Sequence, residues 1–174
     1  MSGLNPPVDA EQDEVEIYQK SYATALRLLA RREHSMLELQ HKLSGRKFPD
    51  AVVGKVLDEL VQESLLSDQR FAETYIRGRY ERGYGPVRIQ VELRERGISG
   101  SLMAASLGEL SPFWADSARR ERRKRFGQAF PEDYRERAKQ MRFLQQRGFT
   151  GDQIRSAFNV DQASEEILEN TVRG

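Results

Sequence analysis

The chain of 174 residues contains 28 basic and 27 acidic side chains and no cysteine, which excludes disulfides and thiolate metal sites. The N-terminal segment is acidic and lacks the apolar core of a secretory signal, and no apolar run approaches the roughly 20 residues that span a bilayer. We therefore expect a cytoplasmic protein without membrane contact, and the charged fraction of 32% favours amphipathic helices over sheets buried on both faces.

The net charge of +1 conceals an uneven distribution along the chain. Residues 111–151 carry eleven bases and five acids, whereas residues 1–20 carry five acids and one base, and residues 152–174 five acids and two bases. A basic segment between acidic ends predicts a surface that meets a polyanion locally. Residues 1–17 are predicted to form an acidic N-terminal tail that is flexible or only partly helical, and residues 161–174 an acidic C-terminal tail.

The chain then opens with three predicted helices. Tyr22 and Leu26 follow helical spacing, which predicts a first helix with an apolar stripe. Ser35 and Glu38 form a capping box, in which each side chain satisfies an exposed backbone donor, so we expect a second helix to begin there. Pro49 opens a third helix at its first turn, where the missing N–H costs nothing.

Similar signals for helix starts and helix ends recur in the middle of the chain. Asp68 can cap a helix that carries Phe71 on its inner face, and the following glycines end that helix. Pro86 opens the next helix, which turns Leu93 inward, and Gly97 closes it in the usual manner of a C-terminal glycine.

The last part of the chain repeats the pattern once more. Pro112 and Pro131 are predicted to open helices, and Gly148 to close one. Thr150 and Gln153 form a second capping box and so predict a further helix start.

These elements belong to an internal repeat of roughly fifty residues. When Phe48, Ile98 and Phe149 are aligned, the surrounding leucine, arginine and apolar positions superimpose without gaps. The sequence therefore predicts an all-α fold of about nine helices, in which the three anchors are buried at equivalent places. Three tandem three-helix repeats are expected to stack into an elongated molecule, with curvature left open, and they cover residues 18–66, 67–110 and 111–160.

Catalytic motifs are missing from the sequence. There is no glycine-rich phosphate loop, no serine nucleophile elbow and no cysteine. The two histidines, His34 and His41, are predicted to be surface or capping residues, because no set of ligands forms around them. We expect no enzymatic activity, no metal and no cofactor.

Two groups of basic residues are candidates for contact with an anion. On the basic helix after Trp114, four side chains are predicted to project outward, with only Glu121 as a nearby acid: Arg119, Arg120, Arg123 and Lys124. A second group surrounds the glycine-rich turn of the middle repeat and consists of Arg77, Arg79, Arg82 and Arg88. Tyr80 and Tyr84 flank that turn and are candidates for contact with a partner. The alternative interpretation of both groups is a solvated helix face.

Several spaced motifs resemble the RecX family of recombinase regulators. They are Phe71-Ala-Glu-Thr-Tyr-Ile-Arg77, then Gly83-Tyr-Gly-Pro86-x-Arg88-Ile89, then Glu92-Leu93-x4-Gly97-Ile98, and finally Phe143-Leu144-x2-Arg147-Gly148-Phe149. The motifs occur in order, and the resemblance covers roughly residues 18–160. Arg96 stands where many relatives have lysine, a change that keeps the charge.

The resemblance implies a monomeric regulator that binds a RecA recombinase filament and meets single-stranded DNA directly or through that filament. It also implies inhibition of filament extension, ATP hydrolysis and strand exchange, either by capping the growing end or by wedging subunits apart. Two other classes are compatible with the residues alone: a stand-alone helical DNA-binding protein, and an enzyme that acts on nucleic acid.

Overall fold

The computed structural model describes residues 8–158, and every regular element within them is helical. The predicted all-α fold of about nine helices is therefore confirmed over this part of the chain. The nine helices are α1 (Val8–Leu29), α2 (Met36–Ser44), α3 (Asp50–Gln62), α4 (Asp68–Glu81), α5 (Pro86–Arg94), α6 (Gly100–Gly108), α7 (Trp114–Phe126), α8 (Tyr134–Gln146) and α9 (residues 151–158). None of the described helices is long and apolar enough to cross a bilayer.

Helix α1 begins ten residues earlier than the sequence suggested, since residues 8–17 are helical rather than a flexible tail. The cause is packing: Ile17 and Tyr18 lie against the core of the first repeat. Lys55 Nζ also lies 2.8 Å from Glu14 Oε1, so an acid of this segment holds it to α3. The predicted C-terminal tail, 161–174, lies outside the described residues.

The first repeat closes around the apolar faces of α2 and α3. Leu39 and Leu43 from α2 and Val56 and Leu60 from α3 are fully buried, and Ala25 of α1 completes this core. Each fully buried leucine or valine contributes about 1.5–3 kcal/mol relative to an exposed position. Packing of amphipathic faces, rather than helix propensity, therefore stabilises these short helices.

Both predicted capping boxes mark helix starts, but only one of them is complete. At α9 the Thr150 hydroxyl accepts from Gln153 N at 3.3 Å, and the Gln153 side chain accepts from Thr150 N at 2.9 Å. At α2 Ser35 Oγ accepts from Glu38 N at 3.1 Å. Glu38 does not return the bond, because its carboxylate pairs with arginines instead.

The three aligned anchors are not equally buried. Ile98 and Phe149 are each 3% exposed, as expected, whereas Phe48 is only partly buried at the margin of the first core. The prediction of a buried anchor is therefore wrong for the first repeat, where the burial is incomplete. The turns of the second and third repeats pack closely against Leu37 and Arg88, whereas Phe48 packs only partly buried against the first core.

The chain divides into two compact units that do not follow the repeat boundaries. One contains the described residues up to Thr74 together with Arg96–Ile98, and the other contains Tyr75–Glu95 and the residues from Ser99 onward. The short segment Arg96–Ile98 belongs to the first unit because it packs on the start of α2. There, a Cβ added at Gly97 would lie only 3.0 Å from the Cβ of Leu37.

An equivalent junction joins the α4–α5 turn to the α8–α9 turn inside the second unit. Gly85 N donates to Arg147 O at 2.8 Å, and Val87 N donates to Gly148 O at 3.0 Å. The backbones approach so closely that a Cβ added at Gly148 would lie 2.6 Å from the backbone nitrogen of Arg88. Glycine is therefore required here for space as well as for its φ of +92°.

The first repeat has a lysine at the position that is glycine in the other two. Lys47 has a φ of +64°, close to the +79° of Gly97, so all three turns share one left-handed backbone conformation. Lys47 is exposed, so there is room for its side chain. This position is glycine in the two repeats whose turn packs closely against a residue of the preceding repeat.

We expect Gly148→Ala to lower the free energy of unfolding by about 2–4 kcal/mol, because left-handed strain adds to overlap with the Arg88 backbone. Gly54→Ala is the matched control, since nothing lies within 4 Å of a Cβ added there, in the middle of α3. That variant should gain up to about 1 kcal/mol through helix propensity. Urea unfolding followed by circular dichroism measures both, and equal stability of the two variants would contradict the junction.

Candidate functional site

Two arginines of the predicted site meet at one carboxylate. Arg79 of α4 donates to both carboxylate oxygens of Glu92 at 2.7 Å, and Tyr75 Oη donates to the same carboxylate at 2.9 Å. Arg88 Nε reaches Glu92 at 3.1 Å from one turn earlier on α5. The forked pairing of Arg79 locks α4 to α5, so its main visible role is within the protein.

Tyr84 lies at the centre of a group of three guanidinium groups. The Cζ atoms of Arg79, Arg88 and Arg147 lie 4.7, 4.5 and 5.4 Å from the centre of the Tyr84 ring. Each distance is within the range of a cation–π contact. We call Tyr84, these three arginines and Glu92 the Tyr84 cluster. Glu92 neutralises one of the three positive charges, and Glu121, which lies 3.5 Å from Arg147 Nη1, neutralises a second, so one positive charge remains.

The charge of Glu92 is preserved by its partners. Burial alone would raise the pKa of Glu92, but hydrogen bonds from Arg88, Tyr75 and Arg79 and the positive charge of Arg79 outweigh it. The pKa of Glu92 is therefore held below its ordinary value of 4.5. The carboxylate stays ionised, and the α4–α5 pairing stays intact, throughout the neutral range.

The other two predicted arginines of the middle repeat are not among the residues that contact Tyr84 or Glu92. Arg77 in α4 and Arg82 in the turn after α4 are both exposed. The backbone carbonyl of Arg82 accepts from Arg147 Nη1 at 2.8 Å, but its own side chain is open to solvent. The structure thus brings Arg79 and Arg88 together and leaves the remaining pair at the surface.

One arginine of the basic run on α7 is completely buried. Arg122 is 0% exposed and donates to the backbone carbonyls of Ala129 and Gln128, both at 3.2 Å. Its Cζ also lies 4.3 Å from the centre of the Phe130 ring. These bonds fix the loop that follows α7, so Arg122 is a structural residue rather than part of the surface.

The four residues predicted to project from α7 differ in exposure. Arg123 and Lys124 are exposed. Arg120 is exposed too, but it donates a hydrogen bond of 3.1 Å to Ser117 Oγ, and its Cζ lies 5.4 Å from the centre of the Tyr80 ring. Arg119 is partly buried and pairs with Asp116 at 2.9 Å. Its Nε is buried and has no hydrogen-bond partner in the described part of the chain. We call these four residues the α7 basic face, and Arg120, Arg123 and Lys124 are its exposed members.

Three consecutive domains of one family match the chain in order. The description "RecX, first three-helix domain" fits residues 22–60, the second such domain fits residues 67–107 and the third fits residues 115–158. Together they cover more than half of the chain. The chain belongs to the RecX family.

Relatives named "Regulatory protein RecX" are similar over most of their length. The protein from Halorhodospira halophila is 49% identical over 133 residues, which are 76% of this chain and 83% of the relative. The protein from Pseudomonas fluorescens is 44% identical over 131 residues, or 75% and 84% of the two chains. Both names describe regulatory proteins.

Solved RecX structures share the fold. The crystal structure of RecX from Lactobacillus salivarius aligns with a TM-score of 0.71 at 21% identity and covers 82% of this chain and 95% of that one. A second crystal structure of regulatory protein RecX gives 0.73 at 23% identity, covering 88% and 78%. This similarity confirms the all-α architecture of the RecX fold.

Within this RecX-family chain, one histidine differs from its predicted place. His34 is 3% exposed rather than at the surface, and its Nδ1 lies 3.0 Å from Arg32 O. Burial lowers the pKa of His34, so the ring is held neutral. His41 is exposed, as expected. In the described part of the chain, no three histidine or acidic side chains gather as a metal site.

Sequence reasoning missed the structural roles of Arg122 and Arg147. Arg122 follows Trp114 and Ala118 at intervals of four, which places it on the inward face of α7 and could have revealed it. Arg147 Nη1 lies 3.5 Å from Glu121 Oε2 across the α7–α8 pair, and no short-range signal indicates that contact. Both arginines reduce the number of charges that face a partner.

We expect Glu92→Gln to destabilise the RecX fold by about 1–3 kcal/mol at neutral pH, because it leaves partly buried arginines without a counter-charge. Since the folded pKa of Glu92 lies below 4.5, its stabilising effect is complete above that value and is lost as the pH falls through the folded pKa. The stability difference between parent and variant should therefore shrink with acidification. A difference independent of pH would show that Glu92 contributes by packing alone.

Proposed function

We propose that the protein binds RecA-type recombinase filaments on single-stranded DNA and inhibits filament extension, ATP hydrolysis and strand exchange, acting in the cytoplasm. The proposal rests on one observation above all: three RecX domains in order along the chain, at up to 49% identity to named regulatory proteins. The family name supplies the regulatory role, and the exposed charges supply the means of contact.

The contact residues are assigned to the two basic groups. On the α7 basic face, Arg120, Arg123 and Lys124 present their charges to solvent. Around the Tyr84 cluster, Arg77 and Arg82 are exposed in the same way. Arg79, Arg88 and Arg119 each pair with an acid of the protein but keep further N–H donors that can reach an anion.

Tandem repeats suit a filament, whose subunits present the same surface again and again. Once one repeat binds, the next is held at high effective concentration near its own site. Several weak contacts can then give strong binding without any deep pocket. A monomer is sufficient for this mode of action.

We expect the purified protein to suppress recombinase ATP hydrolysis on single-stranded DNA at well below one copy per recombinase subunit. One blocked position then affects many subunits, as either end capping or wedging requires. A coupled assay of ADP release over a protein titration measures it. Inhibition only at stoichiometric amounts, tracking simple competition for DNA, would instead favour a stand-alone DNA-binding protein.

The α7 basic face provides a second test. Substitution of Arg120, Arg123 and Lys124 by glutamine should raise the concentration for half-inhibition about tenfold, because each exposed contact contributes roughly 0.2–1 kcal/mol.

A matched control carries three exposed arginines of other helices changed to glutamine: Arg94, Arg135 and Arg142. This control removes the same total charge, so it should leave inhibition nearly unchanged, and both variants should keep the parent melting temperature. If the two variants inhibited equally, the α7 basic face would be only a solvated surface.

A further inference from the structure

An open groove lies on the first repeat, far in sequence from both basic groups described above. Its volume is about 550 Å³, and α1 forms one wall while the turn after α2 forms the other. The lining residues are Thr24, Arg27, Leu28, Arg31 and Arg46. Three of the five carry a full positive charge, and none is acidic.

The three arginines lack carboxylate partners in the described part of the chain. Arg27 Nη2 donates to Thr24 Oγ1 at 3.1 Å and its Nε to Ala23 O at 3.3 Å, while Arg46 Nη1 donates to Lys42 O at 2.7 Å. A guanidinium group has five N–H donors, so most donors remain available to a ligand. Arg31 is exposed and one helical turn from Arg27, where like charges repel.

Other arginines of the same unit do have carboxylate partners. Arg32 Nη1 lies 2.8 Å from Glu38, and Arg70 Nε lies 3.0 Å from Glu33. Favourable interaction with a helix C-terminus accounts for Arg27 and Arg46 taken one at a time. It does not account for three uncompensated charges that converge on one groove.

We propose that this groove binds phosphate groups of a nucleic-acid backbone. Forked guanidinium groups match phosphate oxygens, and three of them exceed what a single carboxylate can satisfy. Leu28 provides an apolar surface against which a sugar can pack. The inference deepens the proposed function and takes its biological setting from it, but it adds a nucleic-acid contact in the first repeat.

The test replaces Arg27, Arg31 and Arg46 with glutamine and measures binding of a fluorescent single-stranded oligonucleotide by anisotropy over a range of salt. Loss of three phosphate contacts should lower the slope of log affinity against log salt by about 2, at roughly 0.7 per contact. The affinity should fall at least tenfold. The glutamine variant of Arg94, Arg135 and Arg142 is again the control, since it removes equal charge, and its slope should stay near that of the parent.

Three outcomes would overturn the proposal. One is equal loss of affinity in the groove variant and the control, which would indicate a general charge effect. A second is unchanged DNA binding with lost binding of poly-glutamate, which would indicate an acidic protein surface as the ligand. A third is tight binding of free ATP by the groove, with oligonucleotide affinity unaffected by the substitutions, which would indicate a free nucleotide instead of a backbone.

A lysine variant guards against misfolding as an explanation. Lysine at Arg27, Arg31 and Arg46 keeps the charge but loses the fork, so affinity should lie between the parent and the glutamine variant, with the salt slope retained. Melting temperatures are compared for all variants. If the parent protein failed to inhibit recombinase filaments, the proposed function would be wrong. The comparison of variants on bare DNA would still show whether the groove binds phosphate groups.

Discussion

Close approach of backbone to backbone is the constraint on which the repeat architecture depends. In the second unit, the turn at Gly85 is hydrogen-bonded to the carbonyls of Arg147 and Gly148, and no side chain separates the two segments. In the first unit, Gly97 lies against the side chain of Leu37 at the start of α2, where a Cβ would be only 3.0 Å from the Leu37 Cβ. A three-helix repeat is too small to bury its core alone, so these junctions supply the missing contacts. They also bring Tyr84 and its three arginines together.

The basic residues of this protein divide between internal and external roles. Arg122 fixes the loop after α7, Arg79 joins α4 to α5 through Glu92, and Arg147 pairs with Glu121. A buried arginine is tolerated because carbonyls, carboxylates or aromatic rings satisfy it. The charge that remains for a partner is therefore smaller than the composition suggests, and it is concentrated at fewer positions.

Much of the fold followed from the sequence because its signals are local. The helix starts at Pro49 and Pro86 and at the capping boxes, and the helix ends at glycines, depend on the backbone within one or two turns. Two predicted starts were wrong: α8 begins at Tyr134 behind an Asp133 cap rather than at Pro131, and Ser67 rather than Asp68 caps α4, because the Asp68 carboxylate accepts from Met36 N instead. The outward direction of Arg123 and Lys124 also follows from helical spacing and the position of Trp114.

The sequence predictions were wrong where contacts between residues distant in sequence determine the structure. The acids of residues 8–17 suggested a tail, but Ile17 and Tyr18 bind that segment to the first core. His34 is buried and Phe48 is only partly buried for the same reason, since the burial of each depends on packing against residues distant in sequence. The Arg79–Glu92 pair forms only because α4 and α5 pack in a particular register, and this register could not be predicted from a single sequence.

The junction in the second unit also bears on how the chain is made. The amide groups of Gly85 and Val87, at the start of α5, find their acceptors only in a segment about sixty residues downstream. During synthesis from the N-terminus, the middle repeat therefore leaves the ribosome with this turn unpaired. It becomes complete when residue 148 follows, so the second and third repeats mature as one cooperative piece of the nascent protein.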